Sequence, residues 1–298
     1  MGHHITSRRL ILCCLMLLAF TADLPAANGQ ATKGQARALT LDYLPPHWLV
    51  IRGDHLPSQE IRVNYLEAYC RAGSTDADWV KHTVIKHTTE LVSLNEDRTK
   101  LVLRDAVADG VIVEHFITAD AEEVTFDIRA HNPTAIASEI HWAQPCIRLG
   151  PFTGFDRMGG DIDDYLPKCF IFIDGQLTRL NQVKPWSKQA RYTPGQVWCP
   201  ADVPRTDVNP RPLSPLVPSS GLIGCFSGDE RLIFAVAFEP YQELFQGVIR
   251  CLHSDFRLGG LAAGEHKRVR GKMFIVSNDV PALVDRYQRA FPSITTDR

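Results

Sequence analysis

From Val124 to Ala130 the chain alternates without a break. Val124, Phe126, Ile128 and Ala130 are apolar, and Thr125, Asp127 and Arg129 between them are polar. Successive side chains of an extended backbone point to opposite sides, so this segment predicts a strand with one buried and one wet face. The same grammar of short apolar or alternating runs, punctuated by Gly, Asn, Asp and Pro, extends from Trp48 to Asp279. It predicts strands at Trp48–Arg52, Glu60–Tyr65, Thr83–His87, Glu90–Leu94, Lys100–Arg104, Val111–Ile117 and Glu123–Ala130. Further strands are expected at Ser138–Arg148, Cys169–Ile173, Gln176–Leu180, Leu232–Phe238, Gly247–Asp255 and Lys267–Val276. Leu232–Phe238 is apolar on both faces and suits a central strand covered on both sides. Asp174-Gly175 fits a two-residue hairpin turn.

One helix is signalled. Asn278 or Asp279 can cap it, Pro281 fits its first turn, and Val280, Leu283, Val284, Tyr287 and Phe291 share a face. The stretch from Pro200 to Pro218 carries six prolines and reads as a long extended loop. Residues 31–45 read as a loose polar lead-in. The expected fold is therefore all-β, a single antiparallel sandwich domain over residues 31–298 closed by a C-terminal helix.

The first 30 residues read as an export signal. Arg8 and Arg9 give a positive start, Leu10 to Ala22 is an uncharged apolar run, and Ala26, Ala27, Gly29 and Ala31 supply small residues for cleavage. The run is 13 residues, short of the roughly 20 that span a bilayer as a helix. Ser7-Arg8-Arg9-Leu10 also suits a twin-arginine signal, so the route of export stays open. Leu12 before Cys13 argues against a lipoprotein cleavage site. No later segment is apolar enough to span, and the mature chain is expected in the periplasm or outside the cell.

Without the signal, 30 basic and 33 acidic side chains remain, a formal charge of −3. That balance offers no footprint for nucleic acid. Cys70, Cys146, Cys169, Cys199, Cys225 and Cys251 remain, and six cysteines allow 15 pairings or buried free thiols. No closely spaced Cys/His ligand motif, P-loop, dinucleotide fingerprint or nucleophile elbow is present. No cofactor and no metal are therefore expected from the sequence. The loop from Phe152 to Asp164 is rich in Asp and Gly but lacks the spacing of a calcium-binding EF-hand.

Two segments carry chemistry. Around the first, a strand from Glu123 is followed by His131-Asn132-Pro133-Thr134 as a turn and then by His141-Trp142-Ala143-Gln144-Pro145-Cys146. In the second, Leu252-His253-Ser254-Asp255 leads through Gly259-Gly260 to Gly264-Glu265. Together they resemble the galactose-mutarotase-like superfamily of aldose epimerases and related sugar-active β-supersandwiches. The resemblance implies a supersandwich and a saccharide ligand, with His141 in the place of the catalytic His that acts on the sugar ring oxygen. Where the family carries its catalytic Glu, this chain has His253-Ser254-Asp255, and Glu239-Pro240 lies one strand earlier.

From the residues themselves, Cys251, His253, Asp255 and Arg257 alternate and so share one strand face. His253 and Asp255, with His141, are the candidate acid/base groups, and Arg257, Trp142 and Gln144 the candidate sugar contacts. Strict alternation turns Trp142 and Gln144 away from His141. The polar loop from Tyr69 to Trp79 suits binding by its aromatic, Arg and Asp content, and turn chemistry alone also explains its Gly, Ser and Asp. Two functions follow, a carbohydrate-binding or carbohydrate-processing protein, or a non-catalytic interaction or structural module of the envelope. If the export reading holds, N-terminal sequencing of secreted material will start between Asn28 and Thr32; a start at Met1 or Gly2 would refute it.

Overall fold

The computed structural model describes residues 39–73, 79–155, 162–183, 196–208, 212–247 and 249–292. The signal reading of residues 1–30 lies outside them, as do Ser74 to Asp78 and the Asp-rich stretch from Asp156 to Asp161.

The described chain forms strands β1 (Thr40–Leu44), β2 (Trp48–Arg52), β3 (Glu60–Arg71), β4 (Val84–Ile85), β5 (His87–Leu94) and β6 (Lys100–Val107). They continue with β7 (Ile112–Ala119), β8 (Glu123–His131), β9 (Ile140–Arg148), β10 (Cys169–Ile173), β11 (Gln176–Arg179) and β12 (Val197–Trp198). The last are β13 (Ile223–Phe226), β14 (Leu232–Glu239), β15 (Tyr241–Gln246), β16 (Cys251–Arg257) and β17 (His266–Ser277). A helix, Val280–Ala290, closes the chain, and Asp279 caps it by accepting from the Ala282 amide at 3.0 Å.

The strands form two antiparallel sheets. One runs β1-β2-β3-β9-β16-β15-β12, with β4 added beside β3; the other runs β11-β10-β13-β14-β17-β8-β7-β6-β5. The alternation that opened the sequence argument holds in β8. Val124, Phe126, Ile128 and Ala130 are buried in the main core with Val63, Tyr65, Ile147, Leu252 and Phe256 of the other sheet. The fold is an all-β sandwich. Strand β14 is covered on both faces, as its composition demands. Phe234, Val236 and Phe238 enter the main core, while Ile233 and Ala235 join Phe274 and Leu283 beneath the C-terminal helix. Gly271 lies across from Phe238, and a β-carbon there would fall 2.2 Å from its ring, so this pairing needs a glycine. Asp174 and Gly175 both take positive φ, 50° and 74°, as the hairpin turn between β10 and β11 requires.

Three sequence expectations need correction. Residues 40–44 are an edge strand paired with β2, because Leu41 and Tyr43 alternate inward where the flanking polar residues mask the pattern. The strand expected from Gly247 to Asp255 begins only at Cys251 and runs to Arg257, since the chain turns after β15, a strand the sequence reading missed, and the Gly247 amide bonds the Cys251 carbonyl at 3.0 Å. The apolar Val248-Ile249 pair hid that turn. The short strands β12 and β13 were also missed, being too brief for periodicity to register. The six cysteines of the described residues are buried free thiols.

A polar quartet lies inside the sandwich. Tyr69 Oη donates to Asp105 Oδ2 at 2.5 Å, His115 Nε2 lies 3.0 Å from the same oxygen, and Tyr65 Oη lies 2.8 Å from His115 Nδ1. The tyrosines come from β3 and the other two residues from β6 and β7, so the quartet joins the sheets. Burial alone would raise the Asp105 carboxyl, but His115 and its hydrogen bonds outweigh that and hold it below the ordinary aspartate value. A lowered folded pKa contributes stability that is present above the ordinary range and lost as pH falls through the lowered value. Asp105→Ala should therefore cost about 3–5 kcal/mol in denaturant melts, because it leaves buried partners uncompensated. Asp105→Asn should flatten the acid limb of the stability curve; an unchanged limb would contradict the assignment.

Candidate functional site

Strand β9 is the hub of the smaller sheet, paired to β3 on one side and β16 on the other. The β9–β16 register places Cys251 across from Arg148 and Arg257 across from Trp142. Continuing it sets Cys146 beside His253 and Gln144 beside Asp255. On the other flank β15 sets Phe245 against His253 and Glu243 against Asp255. Alternation sends Ala143, Ile147, Leu244, Leu252 and Phe256 into the main core. Polar side chains of three strands thus gather on the opposite face.

That face is not solvated. His253 is 3% exposed, and Asp255 and Glu243 are fully buried. His253 stacks on Phe245 with ring centroids 4.2 Å apart and planes 7° from parallel. Its Nδ1 lies 3.4 Å from Asp255 Oδ1 and 3.4 Å from Gln144 Nε2, while its Nε2 lies 3.5 Å from Cys251 Sγ. Burial pushes the Asp255 carboxyl up to about 7, against the lowering pull of His253. Burial disfavours the His253 imidazolium, but the Cys251 sulfur and Asp255 outweigh it and raise the group. Beyond the His253 contact, neither Asp255 oxygen makes a hydrogen bond. A buried carboxyl so poorly satisfied is costly, and such a cost marks a place with a task.

His141 belongs to a second group. Its carbonyl accepts from the Leu258 and Gly259 amides at 2.7 and 2.8 Å. Gly259 and Gly260 hold φ of 69° and 77°, and a β-carbon at Gly260 would sit 3.4 Å from His141 Nε2. Arg257 donates to Gln242 Oε1 at 2.5 Å and reaches Asp207 at 3.4 Å. No hydrogen bond or ion pair joins His141 to His253 or Asp255. Of the six residues singled out by sequence, Gln144, His253 and Asp255 meet. Arg257 reaches His141 through its field alone. Trp142 is fully buried against Ala68, Cys70, Trp79 and Val84, and its indole Nε1 donates to the Arg71 carbonyl at 3.2 Å. It is a packing residue with no free face for a sugar.

The same sheet face also carries a cleft that the sequence reading missed. It measures about 320 Å³ and is lined by Trp48, Ser58, Glu60, Arg62, Arg148, Pro151 and Ile249. Arg62 Nε donates to Glu60 at 2.6 Å, and Ser58 Oγ to the Glu60 carbonyl at 2.7 Å. The Arg148 guanidinium stands 5.7 Å from the Trp48 ring, and its buried Nε has no hydrogen-bond partner. Register alone assembles this cleft, since Arg62 pairs with Arg148 and Arg148 with Cys251. A tryptophan starting a strand was the one signal available in the sequence.

This arrangement defines the molecule as an antiparallel two-sheet sandwich with a largely apolar cleft on one sheet, bordered by an indole and charged side chains. No protein-family model matches the sequence, and no curated protein matches it. Among solved structures the chain is similar to a candidate aldose 1-epimerase of Escherichia coli K12, at 10% identity and TM-score 0.42, covering 80% of this chain and 99% of that one. It is similar to a protein of Synechocystis sp. PCC 6803 at 9% identity and TM-score 0.43, covering 88% and 100%. A candidate mutarotase of Salmonella typhimurium matches at 11% identity and TM-score 0.34, covering 80% and 94%.

Burial, followed by the nearby Arg257 charge, lowers the His141 pKa. Arg257→Ala removes a positive neighbour and leaves Asp207, both of which favour the imidazolium. The His141 midpoint, followed by imidazole proton NMR, should therefore rise toward its ordinary value. A fall would show that Arg257 does not face it.

Proposed function

We propose that this chain is an exported carbohydrate-binding protein whose ligand sits in the cleft bordered by Trp48 and Arg148. The observation that carries this reading is the Trp48 ring in a cleft of about 320 Å³ beside Glu60, Arg62 and Arg148. Small-molecule sites begin at roughly 300 Å³, so the cleft suits one sugar unit and not a long chain. An indole offers an apolar face to the C–H side of a pyranose, while a carboxylate and guanidinium groups bind hydroxyls at its edge. Glu60 is the one carboxylate among the described lining residues. Arg62 and Arg52 both contact it, at 2.6 and 3.4 Å. That pairing suits accepting hydrogen bonds from hydroxyls better than it suits proton transfer, and so favours binding over catalysis. Among the described residues no helix is long and apolar enough to cross a membrane.

A monosaccharide panel followed by ligand-observed NMR tests the reading. Arg148→Ala should weaken binding about tenfold to a hundredfold, the equivalent of about 1.5–3 kcal/mol for a hydrogen bond to a charged group. Trp48→Ala should abolish it, with little change in melting temperature because the ring borders solvent. If no sugar binds, or if both variants bind as the parent does, the structural-module alternative takes its place.

A further inference from the structure

We propose that Cys146, Cys251 and His253 form a binding site for one thiophilic divalent cation, zinc by its donor set. The two sulfurs and one imidazole nitrogen lie within 4.8 Å of one another, and all three residues are buried. The site does not depend on the sugar reading.

Its construction distinguishes it from a chance meeting of buried thiols. The molecule contains such a meeting elsewhere. Cys169 and Cys225 face each other across β10 and β13, but within the larger sheet's apolar packing and without a histidine. At Cys146 and Cys251 an imidazole nitrogen is added to the two sulfurs. Its nitrogens divide their roles, Nε2 toward the Cys251 sulfur and Nδ1 toward Asp255. A proton held on Nδ1 by a carboxylate leaves the Nε2 lone pair free for a metal, the arrangement that supports most ligating histidines. A second observation lies on the next strand. Asn64 stands directly across from Cys146, is 9% exposed, and carries an amide oxygen with no hydrogen-bond partner. Its register beside Cys146 makes it the candidate fourth donor.

Ligand type and charge narrow the ion. Two thiolates and an imidazole select soft or borderline metals over calcium and magnesium. Two thiolates and a neutral imidazole cancel a +2 ion, and binding releases a proton from each thiol that was protonated. A +1 ion would leave a negative site beside the buried Asp255 and Glu243 carboxylates. Zinc bound by two cysteines and one histidine is a known donor set, and it leaves a fourth position.

The test uses the full chain, reduced and then freed of chelator. Zinc competition against a chromogenic chelator should give one equivalent per chain. Cobalt(II) in its place should show thiolate charge-transfer absorption. Cys146→Ser and Cys251→Ser should each weaken zinc at least a hundredfold. Asp255→Asn should weaken it about tenfold to a hundredfold, as loss of an outer partner does. Cys225→Ala should keep one equivalent. If the serine variants do not fold, the cobalt spectra of the parent and Asp255→Asn decide by themselves. Absence of the charge-transfer band, zinc binding unchanged in Asp255→Asn, a preference for copper(I), or a Cys146–Cys251 disulfide in unreduced protein would each overturn the assignment.

Discussion

Burial of two apolar sheet faces against each other is the constraint on which everything else here depends. Each strand of the sandwich can satisfy it only by sending alternate residues inward, as Val124, Phe126 and Ile128 do from one sheet and Leu252 and Phe256 from the other. The residues between them are then committed to the opposite face. On β16 that geometry leaves Cys251, His253, Asp255 and Arg257 nowhere else to go. The inward face is also not uniformly apolar. Tyr65, Tyr69, Asp105 and His115 hydrogen-bond one another there, and a hydrogen-bonded network inside a core penalises any slip of one sheet against the other.

The outer face of the smaller sheet is where this protein departs from an ordinary sandwich. An antiparallel sheet with one face in the core normally leaves its other face wet. Here the centre of that face is dry, with carboxylates, an imidazole and thiols packed together at β9, β15 and β16. Toward β2 and β3 the same face opens into the cleft walled by Trp48 and Arg148. Because Arg148 is paired to Cys251, the cleft and the buried cluster are adjacent on one ladder. The two features differ in chemistry as they differ in access. The open one presents an indole and charged side chains, the closed one soft donors.

Much of the fold was legible because its signals are local. Strands β2, β8, β10 and β14 stand within a residue or two of their expected limits, and the helix after Asp279 begins where its cap and proline place it. Failures came where local pattern and turn chemistry disagreed. The run after Gln246 read as strand although β16 begins only at Cys251, and Leu41 and Tyr43 were discounted beside a polar lead-in. At the site, alternation correctly grouped His253 with Asp255, and Gln144 joined them from β9. It could not tell that Trp142 was filled against Trp79 and Val84, or that Arg257 would be engaged by Asp207 of the proline-rich loop.

The sequence by itself determined which residues share a strand face, since alternation is a property of neighbouring peptide units. It thereby fixed an all-β chain with a double-sided central strand and a polar stripe on β16. Only the tertiary structure decided which stripes become neighbours. Trp48, Arg62, Arg148 and Cys251 are far apart along the chain, yet three successive ladders set them side by side. The reason is physical. Hydrogen-bond pairing between strands is specified by the sum of many weak long-range contacts across the core, and no single segment of the sequence contains that sum.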